Sequence, residues 1–403
     1  MTNDKEANLL RSKLASRGRH GLTLAALVVL SACGASVETS EGSPEIGTMA
    51  AAFKDSGGAD AFEFITQMPT VSASGQTGGF DPALCSNNGH AGFLFVRDRS
   101  DFVQTYNYSG SNPNGWTRYG NSSGTASPKT FAGRLSCTAN GLSTSKFVVA
   151  GRGKTDNLLY WSAGTVTNAL SNPYSDASFS FSTVHPSNTY TNSPALASHN
   201  GQVFLTVVKN GQLYAYYKNP NANWTGPLTA PGISGWSVQG TPAVAYVEAV
   251  MQQYHIYVRA TRTVGGVTST RFQRTYFTTD HFSGPASLSS PVMEPVSLVG
   301  NFPAIDSDPA LEWTGAAYEP GGLENVVTLY YRSGSKFYDT SGDLYPEEHP
   351  PEPVTSNNNP TFVGTPSIHG GIPYEIGQHW FVGQDMSNKI WFGSSENDSA
   401  LIE

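Results

Sequence analysis

A hairpin-like pattern recurs six times along this 403-residue chain, and the repetition constrains the fold more than any single residue does. The clearest copy is Lys146–Gly164, with the sequence KFVVAGRGKTDNLLYWSAG. An apolar run is followed by Gly, Asp and Asn, which tolerate the backbone angles of a chain reversal, and then by a second apolar run. Each copy therefore predicts two antiparallel strands joined by a tight turn. The other copies are Phe93–Gly110, Val203–Lys218, Tyr254–Tyr276, Val327–Gly342 and His379–Gly393.

A proline-containing marker precedes five of the six hairpins. We expect its proline at the first residue of a strand, where the ladder needs no N–H donor. The second unit lacks the proline and is expected to begin near Gly133–Cys137. The prolines at positions 194, 242, 309 and 366 lie 48, 67 and 57 residues apart, which leaves room for about four short strands per unit. The markers are Asp81-Pro82-Ala83-Leu84, Ser193-Pro194-Ala195-Leu196, Thr241-Pro242-Ala243-Val244, Asp308-Pro309-Ala310-Leu311 and Thr365-Pro366-Ser367-Ile368.

These repeats predict an all-β fold, a single β-propeller of six four-stranded blades within residues 61–403. The 42 Gly and 25 Pro residues supply turns, and no stretch after residue 60 has a helical period over three turns. A seventh, degenerate blade in Asn168–Asn192 or Ser283–Asp306 is the alternative. The alternating segment Ala61–Thr66 is predicted to supply the outer strand of the last blade, which would close the ring.

The first 60 residues have the pattern of a lipoprotein signal peptide followed by a tether. Residues 1–32 combine basic residues with the nine-residue apolar run Leu22–Leu30, which is too short to span a bilayer as a helix. The sequence around Cys33, LSACG, resembles the bacterial lipobox, and this resemblance implies lipidation of Cys33. An ordinary signal peptide with a chance cysteine is the alternative. Residues 33–60 lack an apolar period and predict a flexible tether. We therefore expect an exported protein, anchored by lipid to the bacterial envelope at the outer membrane.

The two cysteines that remain, Cys85 and Cys137, are an even pair in an oxidising compartment. Both fall in the predicted first strand of neighbouring repeats, so a disulfide would staple adjacent blades. Two free, buried thiols are the alternative. The net charge of −8 and the lack of a Lys/Arg cluster outside the leader exclude a nucleic-acid partner.

The repeat pattern resembles that of bacterial propeller lectins, namely the fucose-binding, Photorhabdus-type and tachylectin-like families. The first copy contains Asp81-Pro82-Ala83, Phe95-Val96-Arg97 and a Trp-containing segment from Gly115 to Gly120. The fourth copy repeats the marker and contains Tyr257-Val258-Arg259. The resemblance covers roughly residues 80–393 and implies a propeller with sugar pockets between adjacent blades. The Val-Arg pair is missing from the third and sixth copies, where a pocket of this kind is in doubt.

Sugars present apolar C–H faces and fixed hydroxyl groups, which aromatic rings and Arg side chains recognise. An Arg recurs near the end of the same strand in four repeats, and Lys209 takes that place in the third. The alternative is structural: the arginines would brace the next blade through Asp81 or Asp308, and the aromatic rings would pack between sheets. The carbohydrate-binding candidates are Arg97, Trp116, Arg152, Tyr160, Trp161, Tyr214, Trp224, Arg259, Arg332, Trp380 and Trp391.

These features predict recognition of carbohydrate at the cell surface without catalysis, cofactor or metal. An envelope docking module is the second interpretation, so the expected partner is a glycan or an envelope protein, with the membrane contacted through the lipid anchor only. A glycoside hydrolase is the third. It would need paired carboxylates in a central pocket, and the densest acidic group in the repeats is Asp306, Asp308 and Glu312.

Overall fold

The protein is described here by a computed structural model. The structure describes residues 61–62, 64–67, 80–87, 91–97, 100–108, 116–121, 129–139, 146–165, 179–199, 201–247, 253–278, 292–293, 296–319, 322–342, 350–356, 361–370, 379–386 and 390–394. All of them belong to one compact unit, residues 50–403. The predicted leader, the Cys33 lipidation site and the whole tether lie outside these ranges. Within them, no helix has the length and apolar character needed to cross a membrane.

Six antiparallel sheets, each with four strand positions, surround a central axis and form a six-bladed β-propeller. The chain begins with β1 (Ala61–Phe62) and β2 (Phe64–Gln67). Blade 1 consists of β3 (Phe80–Asn87), β4 (Ala91–Arg97), β5 (Val103–Tyr108) and β6 (Trp116–Asn121). Blade 2 consists of β7 (Phe131–Ala139), β8 (Lys146–Gly153), β9 (Leu159–Thr165) and β10 (Ser182–Thr183). Blade 3 consists of β11 (Ala195–His199), β12 (Gln202–Lys209), β13 (Gln212–Lys218) and β14 (Thr225–Thr229).

The remaining blades follow in the same order, from the innermost strand outwards. Blade 4 consists of β15 (Ser237–Val247), β16 (Gln253–Val264), β17 (Val267–Thr278) and two short outer strands, β18 (Val292–Met293) and β19 (Ser297–Val299). Blade 5 consists of β20 (Ala310–Glu319), β21 (Gly322–Ser333), β22 (Lys336–Gly342) and β23 (Glu352–Pro353). The short strand β24 (Thr355–Ser356) pairs with β1. Blade 6 consists of β25 (Phe362–Gly370), β26 (His379–Asp385), β27 (Ile390–Ser394) and the N-terminal strand β2.

The six predicted hairpins are confirmed as the two middle strands of the six blades. Their tight turns use the predicted chemistry. In blade 3, Asn210 and Gly211 connect β12 to β13 with positive φ angles of 51° and 75°. Two consecutive residues at positive φ form the type I′ turn, whose twist matches that of the strands it joins.

The ring closes through the two ends of the chain, as the alternation in Ala61–Thr66 predicts. Strand β2 pairs antiparallel with β27, with Phe64 opposite Ser394. The innermost strands contact one another in sequence, and β25 of blade 6 returns to β3 of blade 1. Both intervals considered for a seventh blade instead contribute outer strands, β10 to blade 2 and β18 and β19 to blade 4. The described strands therefore close a ring of six blades.

The proline marker does not always begin a strand, and this part of the sequence prediction was wrong for three blades. Pro82, Pro242 and Pro366 lie inside β3, β15 and β25, where the pairing register with the next strand shifts. A bulge leaves its extra residue unpaired, so a residue without an N–H removes no hydrogen bond from the ladder. Pro194 and Pro309 do stand immediately before their strands, β11 and β20.

The hydrophobic core lies between the blades rather than at one centre. At four of the six junctions a buried aromatic pair joins the two sheets, with ring centroids 4.4–5.5 Å apart. The pairs are Phe95 with Phe147, Phe204 with Tyr254, Phe272 with Tyr331, and Phe337 with Phe362. Each blade is thus covered by its neighbours, as expected for repeats that cannot bury a sheet face alone.

The junction of blades 1 and 2 also contains a disulfide. Cys85 of β3 is joined to Cys137 of β7 with Cα atoms 5.8 Å apart, and the bond closes a loop of 52 residues. We predict that the variant in which both cysteines are replaced by Ala loses about 3–4 kcal/mol of unfolding free energy, because its unfolded chain regains loop entropy. Urea unfolding with and without reductant measures this loss. A stability of the oxidised wild type equal to that of the double variant would contradict the prediction.

His255 on β16 is buried and packs edge-on against the ring of Tyr276, with centroids 4.7 Å apart. Burial, reinforced by the positive charge of Arg274, lowers the pKa of His255 to about 4. The unfolded imidazole titrates near pH 6.5, so the unfolded state gains a proton that the folded state refuses as the pH falls from 6.5 to 4.

We predict a stability loss of up to about 3 kcal/mol from His255 over this interval, measured by urea unfolding between pH 7 and 4. The variant His255→Gln, which cannot titrate, should show a flatter pH profile. Carboxylates with lowered pKa values, such as Asp101, lose their contribution mainly below about pH 5 and are present in both proteins, so their effect cancels in the comparison. Parallel profiles for the wild type and the variant would show that His255 is not the titrating group.

Candidate ligand site at the blade junctions

A carboxylate latch joins blade 5 to blade 4 at the inner end of the strands. Asp308, which precedes β20, accepts a hydrogen bond from the Thr241 backbone N–H at 2.7 Å and lies 3.3 Å from Arg259 Nη2. Burial raises the pKa of the Asp308 carboxyl, although the Thr241 hydrogen bond and the charge of Arg259 oppose this shift. The bracing role considered for Asp308 in the sequence is therefore present at this junction.

The latch requires a glycine in the facing bulge. Gly240 has a φ of +75°, and a Cβ built on it would lie 1.9 Å from Asp308 Oδ1. At the junction of blades 2 and 3, Gly133 (φ +72°) faces Ser193 in the same way, with 2.4 Å from the built Cβ to the Ser193 hydroxyl oxygen. The junction of blades 2 and 3 and the junction of blades 4 and 5 thus share a close contact between a glycine and a polar side chain.

The three junctions that follow an odd-numbered blade differ in what the basic residue near the end of the second strand contacts, and Arg152 and Arg259 hold the same place in blades 2 and 4. At the junction of blades 1 and 2, Arg97 of β4 and Lys154 of blade 2 both bind the Asp101 carboxylate. Burial acts to raise the pKa of Asp101, but the hydrogen bonds from Lys154 and Arg97 hold that pKa below its usual value. Arg97, Asp101 and Lys154 thus form an ion triad that connects the two blades, and Arg97 already has Asp101 as its partner.

Arg332 of β21 connects blades 5 and 6 in a similar way. Its guanidinium donates to the backbone carbonyl oxygens of Gly364 in β25 at 3.2 Å, of Asp306 at 2.9 Å, and of Gly334. Asp306 in turn accepts a hydrogen bond from the Gly334 N–H at 2.7 Å. Arg332 is therefore used for bracing.

The third junction of this kind, between blades 3 and 4, contains an open cleft. Lys209 takes the position of Arg97 and Arg332, but its ammonium group lies 5.3 Å from the centre of the Tyr190 ring. Tyr190 belongs to the segment that joins blades 2 and 3: its backbone N–H donates to the Asn157 carbonyl oxygen at 2.8 Å, and its ring packs edge-on against Tyr214 of blade 3. Lys209 is thus directed at Tyr190, and a cleft of about 460 Å³ lies between blades 3 and 4.

The cleft has a polar lining that contains several hydrogen-bonding side chains. Blade 3 and the segment before it contribute Thr191, Asn192, Val208, Asn210 and Gly211, and blade 4 contributes Ser237, Val238, Gln239, Gly240 and Arg259. Its volume lies in the range of about 300–1,000 Å³ typical of small-ligand sites. Arg259 is held in the wall by the Asp308 latch, so the guanidinium is positioned before any ligand arrives.

The aromatic candidates are distributed over several blades rather than gathered around this cleft. Tyr160 is buried in blade 2 and donates to the Asp156 carboxylate at 2.6 Å. Trp161 and Trp224 pack edge to face, 5.7 Å between centroids, and Trp391 Nε1 donates to Asp385 at 2.8 Å.

Four further candidates complete the set. Tyr214 packs edge-on against Tyr190, and the Arg152 guanidinium donates to the Asn157 side chain. Trp116 and Trp380 lie in β6 and β26, but their side chains fall outside the described residues. Of the arginine and aromatic candidates that the structure describes, Arg259 is the one in the cleft wall.

The central channel is a narrower space than the cleft. It is lined mainly by Pro, Ala and Leu residues of the innermost strands and has a volume of about 70 Å³. Arg134 of β7 extends along it and donates to the Pro366 carbonyl oxygen at 2.8 Å. Among the described residues that line it there is no carboxylate, and Asp306 and Asp308 are both used at blade junctions. The pair of acids that a glycosidase needs is thus not found in this channel.

Sequence reasoning missed the amide and hydroxyl groups of the cleft. Asn210, Gln239 and Ser237 lie in or next to turns, where such residues are common for conformational reasons alone. The only signal was indirect: the third repeat has Lys209 where other repeats have Arg, and this exchange accompanies the opening of the junction.

No family model and no curated protein matches the chain. A solved structure of an arginine-to-alanine triple mutant of AofleA from Arthrobotrys oligospora is similar, with a TM-score of 0.53 and 12% identity over 82% of this chain and 85% of that one. The lectin of Aleuria aurantia gives 0.44 and 12% identity over 79% and 93% of the two chains. The NanB sialidase of Streptococcus pneumoniae gives 0.47 and 9% identity over 82% and 69%. The likeness to AofleA concerns the fold alone, and the two lower scores support no argument about function.

The latch generates a stability prediction with a matched control. Gly240→Ala should lose about 2 kcal/mol or more, because a Cβ at this φ is strained and would collide with Asp308. Gly232→Ala should be close to neutral, since nothing lies within 4 Å of the added carbon and its φ is ordinary. Denaturant unfolding of both variants gives the comparison. Equal stabilities of the two variants would show that Asp308 does not lie close enough to Gly240 to exclude a Cβ atom.

Proposed function

We propose that this protein binds carbohydrate, without catalysis, in the cleft between blades 3 and 4. The observation that carries the proposal is the open, polar cleft at one junction, where the corresponding junctions are bridged by Arg97 with Asp101 and Lys154, and by Arg332. A junction that is not braced leaves hydrogen-bonding groups available to a ligand.

The chemistry of the lining suits a sugar. Asn192, Asn210 and Gln239 each offer a donor and an acceptor, and the Ser237 hydroxyl offers both. Arg259 adds a positioned guanidinium, which hydrogen-bonds vicinal hydroxyls or a carboxylate. A ring with several hydroxyl groups at fixed angles can satisfy such a set of neutral donors and acceptors at once.

The proposal places the protein outside the cytoplasm, held to the envelope by lipid on Cys33. The lipobox-like sequence LSACG at residues 30–34 supports this location. The disulfide between Cys85 and Cys137 agrees with an oxidising compartment. A glycan of the cell surface or its surroundings is then the accessible partner.

A second candidate function is docking of one envelope protein on the face that bears the cleft. It is favoured because the described residues show one open junction, whereas a lectin that gains strength from multivalency would repeat its pocket around the ring. The same cleft would then receive a side chain of the partner, and free sugars would not compete.

We predict that the oxidised protein binds one class of sugar on a glycan array, and that Asn210→Gly and Gln239→Ala each weaken this binding at least about tenfold, as loss of a ligand hydrogen bond implies. Asn210→Gly removes the amide while keeping a residue suited to the left-handed turn position. Titration calorimetry with the sugar identified on the array gives the affinities.

Arg97→Ala and Arg332→Ala are the matched controls, because both arginines serve braced junctions. They should lower stability while leaving the sugar affinity of the folded protein unchanged. A folded protein that binds no glycan would favour the docking candidate, to be sought by crosslinking at the envelope. Loss of sugar binding in Arg332→Ala alone would place the site elsewhere on the ring.

A further inference from the structure

The β16–β17 hairpin of blade 4 extends beyond the sheet to which it belongs. The last residue of β16 with a partner in β15 is Thr261, and β19 covers β17 no further than Phe272. From Arg262 to Ser269 the hairpin is a two-stranded ribbon, exposed at every position. Nothing lies within 4 Å of a Cβ built on Gly265 or Gly266, so the turn stands in open space.

The end of this ribbon is apolar. Val264 and Val267 are 58% and 69% exposed, and they stand directly opposite each other across the turn. Directly opposed residues point to the same face of a two-stranded sheet, so the two side chains form one small apolar tip. Apolar side chains that are exposed side by side at the end of such a ribbon are candidates for contact with a membrane or a partner.

The hairpin is also basic in a chain whose net charge is −8. Strands β16 and β17 contain Arg259, Arg262, Arg271 and Arg274, and neither strand contains an Asp or Glu. Arg262 is exposed and lies two residues behind Val264 on the same face. Arg271 donates to neutral groups, the Gly300 carbonyl oxygen at 2.6 Å and Asn301 Oδ1 at 2.8 Å, so these contacts do not offset its charge.

We infer that this hairpin tip docks onto the surface of an anionic lipid bilayer. Val264 and Val267 enter the boundary between headgroups and acyl chains, and Arg262 meets lipid phosphates. The two-residue spacing between Arg262 and Val264 corresponds to about 7 Å along a strand, which agrees with the 5–10 Å depth of interfacial insertion. A lipid surface accounts for both the apolar tip and the basic flank, whereas an acidic protein would account only for the arginines.

This inference goes beyond the proposed carbohydrate function and does not depend on it. Arg259 in the cleft wall lies on the same strand as Val264, five residues away, or about 16 Å. A docked tip therefore holds the Arg259 side of the cleft wall within about 16 Å of the inserted valines. Two valines give weak, reversible binding, which suits a second contact beside a lipid anchor.

The test uses the chain from Gly34 onwards, which lacks Cys33 and its lipid. Because the ring closes through strands between residues 61 and 394, this chain keeps every described contact. Co-sedimentation is measured at low salt with vesicles of phosphatidylcholine containing phosphatidylglycerol, and with phosphatidylcholine vesicles alone. We expect binding to the anionic vesicles that weakens with added salt, and a loss of at least about fivefold in the double variant Val264→Ser with Val267→Ser.

Two variants make the result specific to the tip. Met386→Ser is the matched control, because Met386 is 72% exposed but belongs to blade 6, and it should bind like the wild type. Val264→Trp should bind more tightly, since an indole favours the membrane interface. The inference is overturned if the wild type ignores anionic vesicles, or if the serine double variant and the wild type bind equally. Sugar affinity, measured separately in solution, is expected to be the same in all four proteins, so failure here leaves the carbohydrate proposal to its own test.

Discussion

The face-to-face packing of neighbouring blades is the contact on which the rest of the structure depends. A four-stranded sheet of short strands has two apolar faces and cannot cover either of them alone. Buried aromatic pairs such as Phe204 with Tyr254 cover them across the junctions, and the ring gives every blade two neighbours. The innermost strands must then approach closely around the axis. The channel that remains is lined mainly by Pro, Ala and Leu residues. The bulges in the innermost strands accept the prolines, which would interrupt a regular ladder.

The junctions of this ring differ in how far polar side chains bridge the two blades. The junctions of blades 2 and 3 and of blades 4 and 5 have a polar side chain close against a glycine, as Asp308 approaches Gly240. The junctions after blades 1 and 5 are linked through a long basic side chain, Arg97 or Arg332. At the junction after blade 3, Lys209 takes the place of these arginines, its ammonium group lies near the Tyr190 ring, and the cleft is open. The blades on both sides of the cleft keep the same order of strands.

How much of the structure could be predicted from the sequence depends on how far apart along the chain the interacting residues lie. The hairpins are local, and Gly, Asn and apolar alternation within about 20 residues determine them. The closing strand Phe64–Gln67 was also predictable, because the last repeat lacks an outer strand. The roles of Arg97, Arg259 and Arg332 were not. Each occupies a similar place in the repeat, but Arg259 and Arg332 have partners in the next blade, and Arg97 is linked to the next blade through Asp101 and Lys154. A single sequence does not reveal which acceptor lies within reach.

The fourth strand of blade 6 comes from the first segment of the propeller to be synthesised, and its partner β27 comes from the last. A chain that leaves the ribosome or crosses a membrane from its N-terminus must therefore keep β2 unpaired until residue 394 has emerged. During this time β2 is an unpaired edge that other chains can join. Completion of the ring is a late, long-range event with a high contact order, so it is expected to set the pace of maturation. Once the ring has formed, the same pairing favours cooperative unfolding of the blades, because the ring opens only when β2 and β27 separate.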